Sequence, residues 1–217
     1  MVTDIFKHIT DRGFYYQCTN PKGIEQQLAK SKAVCYVGFD LTAKSLHVGS
    51  LLPIMLIRHL LNAGNKIIIL FGGGTTKIGD PSGRDKTRQI LSKEQVAENK
   101  AGIKNVLNKF FDIDQVTFVD NDDWLSDLNY LDFIRDIGRH FSINQMLGYE
   151  SVKRRLDREQ NLSFIEFTYM ILQAYDFHYL AENHGCNLQI GGSDQWGNIV
   201  NGIELHRKLK PGTEDLI

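Results

Sequence analysis

The segment from Ala33 to Phe71 constrains this chain most. Ala33 to Phe39 is β-branched and aromatic enough for a buried strand. His47 to Ala63 then reads as a helix, with Leu51, Leu52, Met55 and Leu60 facing a core and Gly64 closing its end. Lys66 to Phe71 is a second apolar run of strand type. Strand, helix and strand so closely spaced form a βαβ unit, which predicts parallel strands and a binding site at their carboxyl ends. The second run empties into Gly72, Gly73 and Gly74, where that rule would place it.

The flanking sequence extends this to an α/β, Rossmann-type doubly wound parallel sheet with a mainly helical insertion. Residues 1–32 read as N-terminal helices, over residues 1–14 and Lys22 to Lys32. Residues 33–120 form the first half of a nucleotide-binding unit, in which Ser92 and Gln95 make a capping box for a helix running to about Phe111, and Val116 to Asp120 is a third strand. Residues 121–187 are the helical insertion, with a basic cluster at Lys153, Arg154, Arg155 and Arg158 and a long helix over Ser163 to Asn183. Residues 188–217 begin the second half, with a strand at Leu188 to Ile190 and a helix from about Asp194 to Leu209. The pattern shows no internal repeat and no low-complexity linker.

Composition matters mainly for what it excludes. A net charge of −1 over 217 residues gives no global basicity, so contact with nucleic acid must come from local patches. Cys18, Cys35 and Cys186 are odd in number and lack any Cys-x-x-Cys pair, which fits a reducing cytosol and gives no zinc signature. The run Ile67 to Phe71 is far too short to span a bilayer, and the charged N-terminus lacks the apolar core of a secretion signal. The expectation is a soluble cytoplasmic protein with no membrane partner.

Two features point to a small polar ligand. Tyr169, Gln173 and Asp176 stand at i, i+4 and i+7 of an otherwise apolar helix and form one polar stripe. Pointed inward, it offers a phenol, an amide and a carboxylate; a satisfied core network or a solvated face would give the same pattern. Glycines recur at three strand ends, at Gly38, Gly72 to Gly74, and Gly191 with Gly192, where missing side chains let a base, ribose or phosphate approach the backbone. Gly74 and Gly79 have the glycine spacing of a phosphate-binding P-loop, but Asp80 stands where its lysine should be, and no G-x-G-x-x-G register is present. His47, before a helix start, is placed either to donate to a phosphate oxygen or to cap the helix.

Four strings in order, YVGFD with HVG, GDPSG, YMILQAYDF and LQIGGSDQWGN, resemble the bacterial tyrosyl-tRNA synthetases, a family of class I aminoacyl-tRNA synthetases, over about Tyr36 to Lys208. The resemblance implies activation of L-tyrosine by ATP, Mg2+ accompanying the ATP with no metal site on the protein, transfer to tRNA(Tyr), and a homodimer built through the insertion. It implies that Tyr36 and Asp176 hydrogen-bond the substrate phenol. Asp80, Tyr169 and Gln173 would hold its ammonium, with Gln189 and Gln195 in support. Gly38, Asp40, Thr42, His47, Gly49, Gly192 and Asp194 would bind ATP. Thr42, His47, Arg84 and Arg88 would stabilise phosphate charge during the reaction, and Lys153, Arg154, Arg155, Arg207 and Lys208 are the candidate tRNA contacts.

The implied chemistry suits these residue types. A tyrosine carboxylate is already ionised at neutral pH, so its attack on phosphorus needs alignment and charge stabilisation and no general base. In the family, tryptophan-specific relatives are nearest, but an acid at Asp176 beside Tyr36 suits a phenol better than an indole. Ser50 departs from the pattern, standing where the signature often has a second histidine. The family's lysine-bearing mobile loop and anticodon-recognition region would lie downstream of Ile217, so a catalytic-domain fragment is expected. Two other readings stay open: a non-catalytic RNA-binding protein with this fold, and a small adenylyltransferase sharing only the histidine signature, which leaves LQIGGSDQWGN unexplained.

Overall fold

The computed structural model describes residues 4–78, 91–159 and 161–212. Four strands, β1 (Val34–Asp40), β2 (Lys66–Gly72), β3 (Val116–Asp120) and β4 (Leu188–Ile190), form a sheet in the order β3-β2-β1-β4. Each neighbouring pair is parallel, with Tyr36 opposite Ile68 on one side and Gln189 on the other. Succession runs outward from β1 through β2 to β3, then reverses to β4 on the other side of β1. That reversal opens a crevice beyond the carboxyl ends of β1 and β4.

The helices are α1 (Ile5–Asp11), α2 (Pro21–Ala29), α3 (Leu51–Asn62), the single turn α4 (Gly73–Thr76), α5 (Lys93–Leu107), α6 (Asp122–Leu125), α7 (Tyr130–Asp136), α8 (Ile143–Leu147), α9 (Glu150–Asp157), α10 (Phe164–His184) and α11 (Trp196–Leu209). Alternation along the strands divides them between two faces. Cys35, Val37, Phe39, Ile67 and Ile69 pack against α1, α2, α3 and α5. Tyr36, Ile68 and Leu70 pack on the opposite side against Trp124, Phe177, Leu180 and Ile203 of α6, α10 and α11. Residues such as Ile57 and Ile69, both 0% exposed, each contribute roughly 1.5–3 kcal/mol by leaving water. A third cluster joins α7, α8 and α9 to Met170, Ile171 and Ala174 of α10. Helix α10 therefore serves both the sheet and the inserted helices, and it fixes one to the other.

Local chemistry sets the helix ends. The Ser92 hydroxyl accepts from the Gln95 N–H while the Gln95 side chain accepts from the Ser92 N–H, and Ser163 with Glu166 repeats the arrangement at α10. Gly185 at φ +65° terminates α10, and Gly64 at φ +83° follows α3.

Several expectations shift. The helix of the βαβ unit starts later than His47, because a 3-10 turn at Val48–Ser50 precedes α3. Its core face is Ile54, Ile57 and Leu60, while Leu51 and Leu52 are exposed and Met55 is half-buried. This helix is apolar nearly all round, so periodicity alone cannot choose its inner face. The first helix is confined to Ile5–Asp11, and α5 ends at Leu107, before Phe111. Among the described residues no helix is long and apolar enough to cross a membrane.

Candidate functional site

A cleft of about 380 Å³ opens at the carboxyl ends of the strands. Tyr36, Gly38 and Asp40, alternate residues of β1, form its floor, and Gln189 of β4 flanks them. At Gly38 an added Cβ would meet only the Tyr36 ring, at 3.6 Å, so this glycine opens the floor between the phenol and the carboxylate. The polar stripe of α10 turns inward: Tyr169, Gln173 and Asp176 all line the cleft.

Its deep end is an acid held by two donors. Asp176 is 1% exposed. Its Oδ1 accepts from Trp124 Nε1 at 2.8 Å and its Oδ2 from Asn121 Nδ2 at 2.9 Å. Each carboxylate oxygen keeps a further lone pair for a ligand hydroxyl. On balance this carboxyl is raised to about 7: burial drives it up, the two hydrogen bonds oppose that, and the charges of Asp40 and Asp120 add to the upward push. Gln189 Nε2 donates to the Tyr36 hydroxyl at 3.4 Å. Burial first, then the neighbouring Asp176 charge, hold the Tyr36 phenol well above its usual range, so it stays protonated and able to donate.

Asn121 connects this end of the cleft to the glycine turn. Its Oδ1 accepts from the Gly74 N–H at 2.8 Å and the Thr75 N–H at 3.3 Å, and its Nδ2 also donates to Thr75 Oγ1 at 3.1 Å. Thr75 in turn donates to Asp40 Oδ1 at 3.3 Å. A chain of side-chain hydrogen bonds thus runs from Asp176 through Asn121 and Thr75 to Asp40. Asn198, buried outside the cleft lining, donates through Nδ2 to Gln173 Oε1 at 2.9 Å and to Gln195 Oε1 at 3.0 Å, ordering both amides.

The mouth is rich in hydrogen-bond donors. His47 Nδ1 accepts from the Gly49 N–H at 3.1 Å. A neutral ring with Nδ1 accepting carries its proton on Nε2, which leaves that nitrogen as the outward donor. Thr42, His47 and Ser50 line this part of the cleft.

Tyr36, Gly38, Asp40, Thr42, His47, Tyr169, Gln173, Asp176, Gln189, Gly192 and Gln195 are therefore brought to one cavity. Gly49 and Asp194 are exposed residues outside this lining that touch it, Gly49 through the His47 ring and Asp194 by accepting from Gln195 Nε2 at 3.3 Å. Asp80, Arg84 and Arg88 lie outside the described residues. Lys153, Arg154, Arg207 and Lys208 are exposed or partly so. Arg155 is not: it is 5% exposed, faces Glu166 at 3.4 Å and donates to the Asn161 carbonyl. It is a structural arginine that locks α9 to the start of α10, and its guanidinium is withdrawn from the exposed basic surface.

The glycine turn after β2 also differs from expectation. The space that a Cβ would take at Gly73 is filled by the Asp120 carboxylate, and at Gly72 by Thr75 and Asp40 side chains. These two glycines make room for the protein's own polar groups, and Gly72 also lines the cleft. Sequence reasoning missed Thr75, Asn121, Trp124 and Asn198. The strand-end rule points to Asn121 as well, because it is the residue next after β3.

Comparison with known proteins agrees with this fold. The family model of class I tRNA synthetases of the tryptophan and tyrosine type matches residues 28–215. The tyrosine–tRNA ligase of Wolbachia pipientis subsp. Culex pipiens is 56% identical over 212 residues, covering 95% of this chain and 50% of the relative. That of Beijerinckia indica is 51% identical over 218 residues, covering 99% and 51%. The chain thus spans about half the length of the curated relatives it matches. A solved C-terminally truncated mitochondrial tyrosyl-tRNA synthetase of Aspergillus nidulans superposes with a TM-score of 0.84 at 30% identity, over 99% of this chain and 64% of that one.

Proposed function

Since the chain belongs to the class I tRNA synthetases of the tryptophan and tyrosine type, we propose that its cleft binds L-tyrosine and ATP and joins them as tyrosyl-adenylate, for transfer of tyrosine to tRNA(Tyr). The observation that carries this reading is the buried Asp176 beside Tyr36 at the closed end of a cleft whose mouth offers His47 and Thr42. A phenol reaching Asp176 donates its proton to a carboxylate lone pair and accepts from the Tyr36 hydroxyl. Phenylalanine would leave both groups desolvated and unpaired, at a cost of about 1–3 kcal/mol for each.

Gln173 and Tyr169, half-way along the cleft, hold the substrate ammonium, with Asp80 in the same role; Asn198 presents Gln173, and Gln189 and Gln195 complete the wall. ATP lies toward Gly38, Asp40, Gly192 and Asp194, its triphosphate near Thr42 and His47, with Gly49 fixing the His47 ring. Mg2+ enters with the ATP as part of that substrate. The tyrosine carboxylate oxygen bonds to the α-phosphorus as the bond from that phosphorus to the bridging oxygen breaks, and pyrophosphate leaves with the electron pair. His47 Nε2–H and the Thr42 hydroxyl donate to phosphate oxygens as charge builds, joined by Arg84 and Arg88. No side chain has to remove a proton.

The macromolecular partners follow from surface chemistry. Lys153, Arg154, Arg207 and Lys208 offer cations at the surface for an RNA backbone. Tyr130 and Leu131 of α7 are 64% and 74% exposed, and Ile143 of α8 is 59% exposed, an apolar surface suited to a second copy of the chain. The reaction belongs to the cytoplasm, where tRNA and ATP are at hand. Tyrosine-dependent exchange of labelled pyrophosphate into ATP tests the reading; no exchange, together with no heat of tyrosine binding, would overturn it.

A further inference from the structure

Helix α5 lines no part of the cleft, yet one of its faces is moulded to the loop that carries the proposed phosphate donors. Residues 41–47 belong to neither helix nor strand, so this loop takes its shape from its neighbours. Asn99, 6% exposed, donates through Nδ2 to the Leu41 carbonyl at 2.7 Å. The Leu41 N–H is taken by Thr76 Oγ1 at 2.8 Å, so both backbone polar groups of Leu41 are fixed from outside. One turn on, Gly102 faces the Lys44 backbone: an added Cβ would overlap the Lys44 carbonyl oxygen and lie 3.0 Å from its carbon and 3.2 Å from its Cα. Backbone atoms cannot swing aside as a long side chain does. Glu98, adjoining Asn99, pairs with the Lys44 ammonium.

We propose that Asn99 and Gly102 of α5 are positioning residues that hold the loop from Leu41 to His47 in register with the cleft, and so set the grip on the triphosphate without touching it. The proposal rests on the assignment of Thr42 and His47 to ATP. A methyl group at Gly102 displaces the Lys44 carbonyl, and the displacement passes along the short loop to Thr42 on one side and His47 on the other. The tyrosine end, built on β1, α6 and α10, does not depend on this contact.

The test uses the full chain. Gly102→Ala is expected to raise the ATP concentration for half-maximal tyrosine-dependent pyrophosphate exchange on the order of 10–100-fold, with calorimetric tyrosine affinity unchanged. Asn99→Ala should move ATP dependence in the same direction, and it keeps the question answerable if Gly102→Ala does not fold. Ala101→Gly weakens the same helix at an exposed position and should leave ATP dependence at the wild-type value. Amide hydrogen exchange without substrates should quicken at Leu41 and Gly49 in Gly102→Ala while the β1 amides stay protected. Unchanged ATP dependence, parallel loss of ATP and tyrosine affinity, or an Ala101→Gly variant that behaves like Gly102→Ala would each overturn the proposal. If wild-type chain exchanges no pyrophosphate while the amide pattern responds as expected, the positioning of the loop is supported and the assignment of the cleft fails.

Discussion

Asn121 donates to Asp176 at 2.9 Å across a separation of 55 residues, and the same amide anchors the backbone of the glycine turn at Gly74. The residue that orients the acid is thus also the residue that shapes the turn beside it. Asn121→Ala leaves the Gly74 and Thr75 amides and one Asp176 oxygen without these partners in a buried site. A loss of about 2–4 kcal/mol of stability is expected, read by urea denaturation. Stability within experimental error of wild type would show that the acid and the turn are not coupled through this amide.

Trp124 supplies one of the two hydrogen bonds to the acid. Its ring stacks on Tyr179 with centroids 4.2 Å apart, a contact that phenylalanine largely keeps. Trp124→Phe therefore removes the N–H donated to Asp176 together with part of a buried ring. Asp176 loses one of its two orienting donors, so tyrosine affinity should fall, but by less than the roughly 1.5–3 kcal/mol that a hydrogen bond to a charged group contributes, because this bond is present with and without ligand. Isothermal calorimetry would measure it, and the apparent titration of Asp176 should move upward in the same variant.

The raised carboxyl of Asp176 fixes the sign of two pH dependences. Its proton is bound more tightly folded, near 7, than at its ordinary value of 3.8. Protonated Asp176 therefore contributes stability that is fully present below 3.8 and is lost as the pH rises through about 7. Asp176→Asn should abolish that slope, so the difference in melting temperature between wild type and variant changes across this window. Ligand binding runs the other way: the ionised form accepts the phenol proton, so tyrosine affinity should increase from the acid to the alkaline side of the transition. A flat profile on both measurements would remove Asp176 from phenol recognition.

Asp176→Asn also tests selectivity. The amide preserves shape but replaces a carboxylate oxygen by a donor, so tyrosine should lose most of its advantage over phenylalanine, with the fold retained. Competition binding of the two amino acids is the direct measurement. A variant that still prefers tyrosine as strongly as wild type would assign that selectivity to other residues.

Leu131, 74% exposed on α7, offers a test of self-association. Leu131→Asp introduces a charge that an apolar interface would have to desolvate, and sedimentation should show a shift from dimer to monomer at equal concentration. Identical sedimentation of the two proteins as dimers would exclude this face as the interface.

Much of the fold was fixed locally by the residues themselves. Val116 to Asp120 and Leu188 to Ile190 are strands at the bounds that β-branched and apolar runs predict, and Ser92 with Gln95 caps α5 because neighbouring side chains and amides need no distant partner. The stripe Tyr169, Gln173, Asp176 was legible because helical spacing alone aligns it. Tertiary structure decided what each polar group meets. It turned Arg155 inward onto Glu166, chose Ile54 and Ile57 over Leu51 and Leu52, filled the space at Gly73 with Asp120, and brought Asn121 and Trp124 to Asp176. Backbone preference acts over a few residues, whereas burial and hydrogen-bond satisfaction are settled between groups far apart along the chain, and only folding says which of them touch.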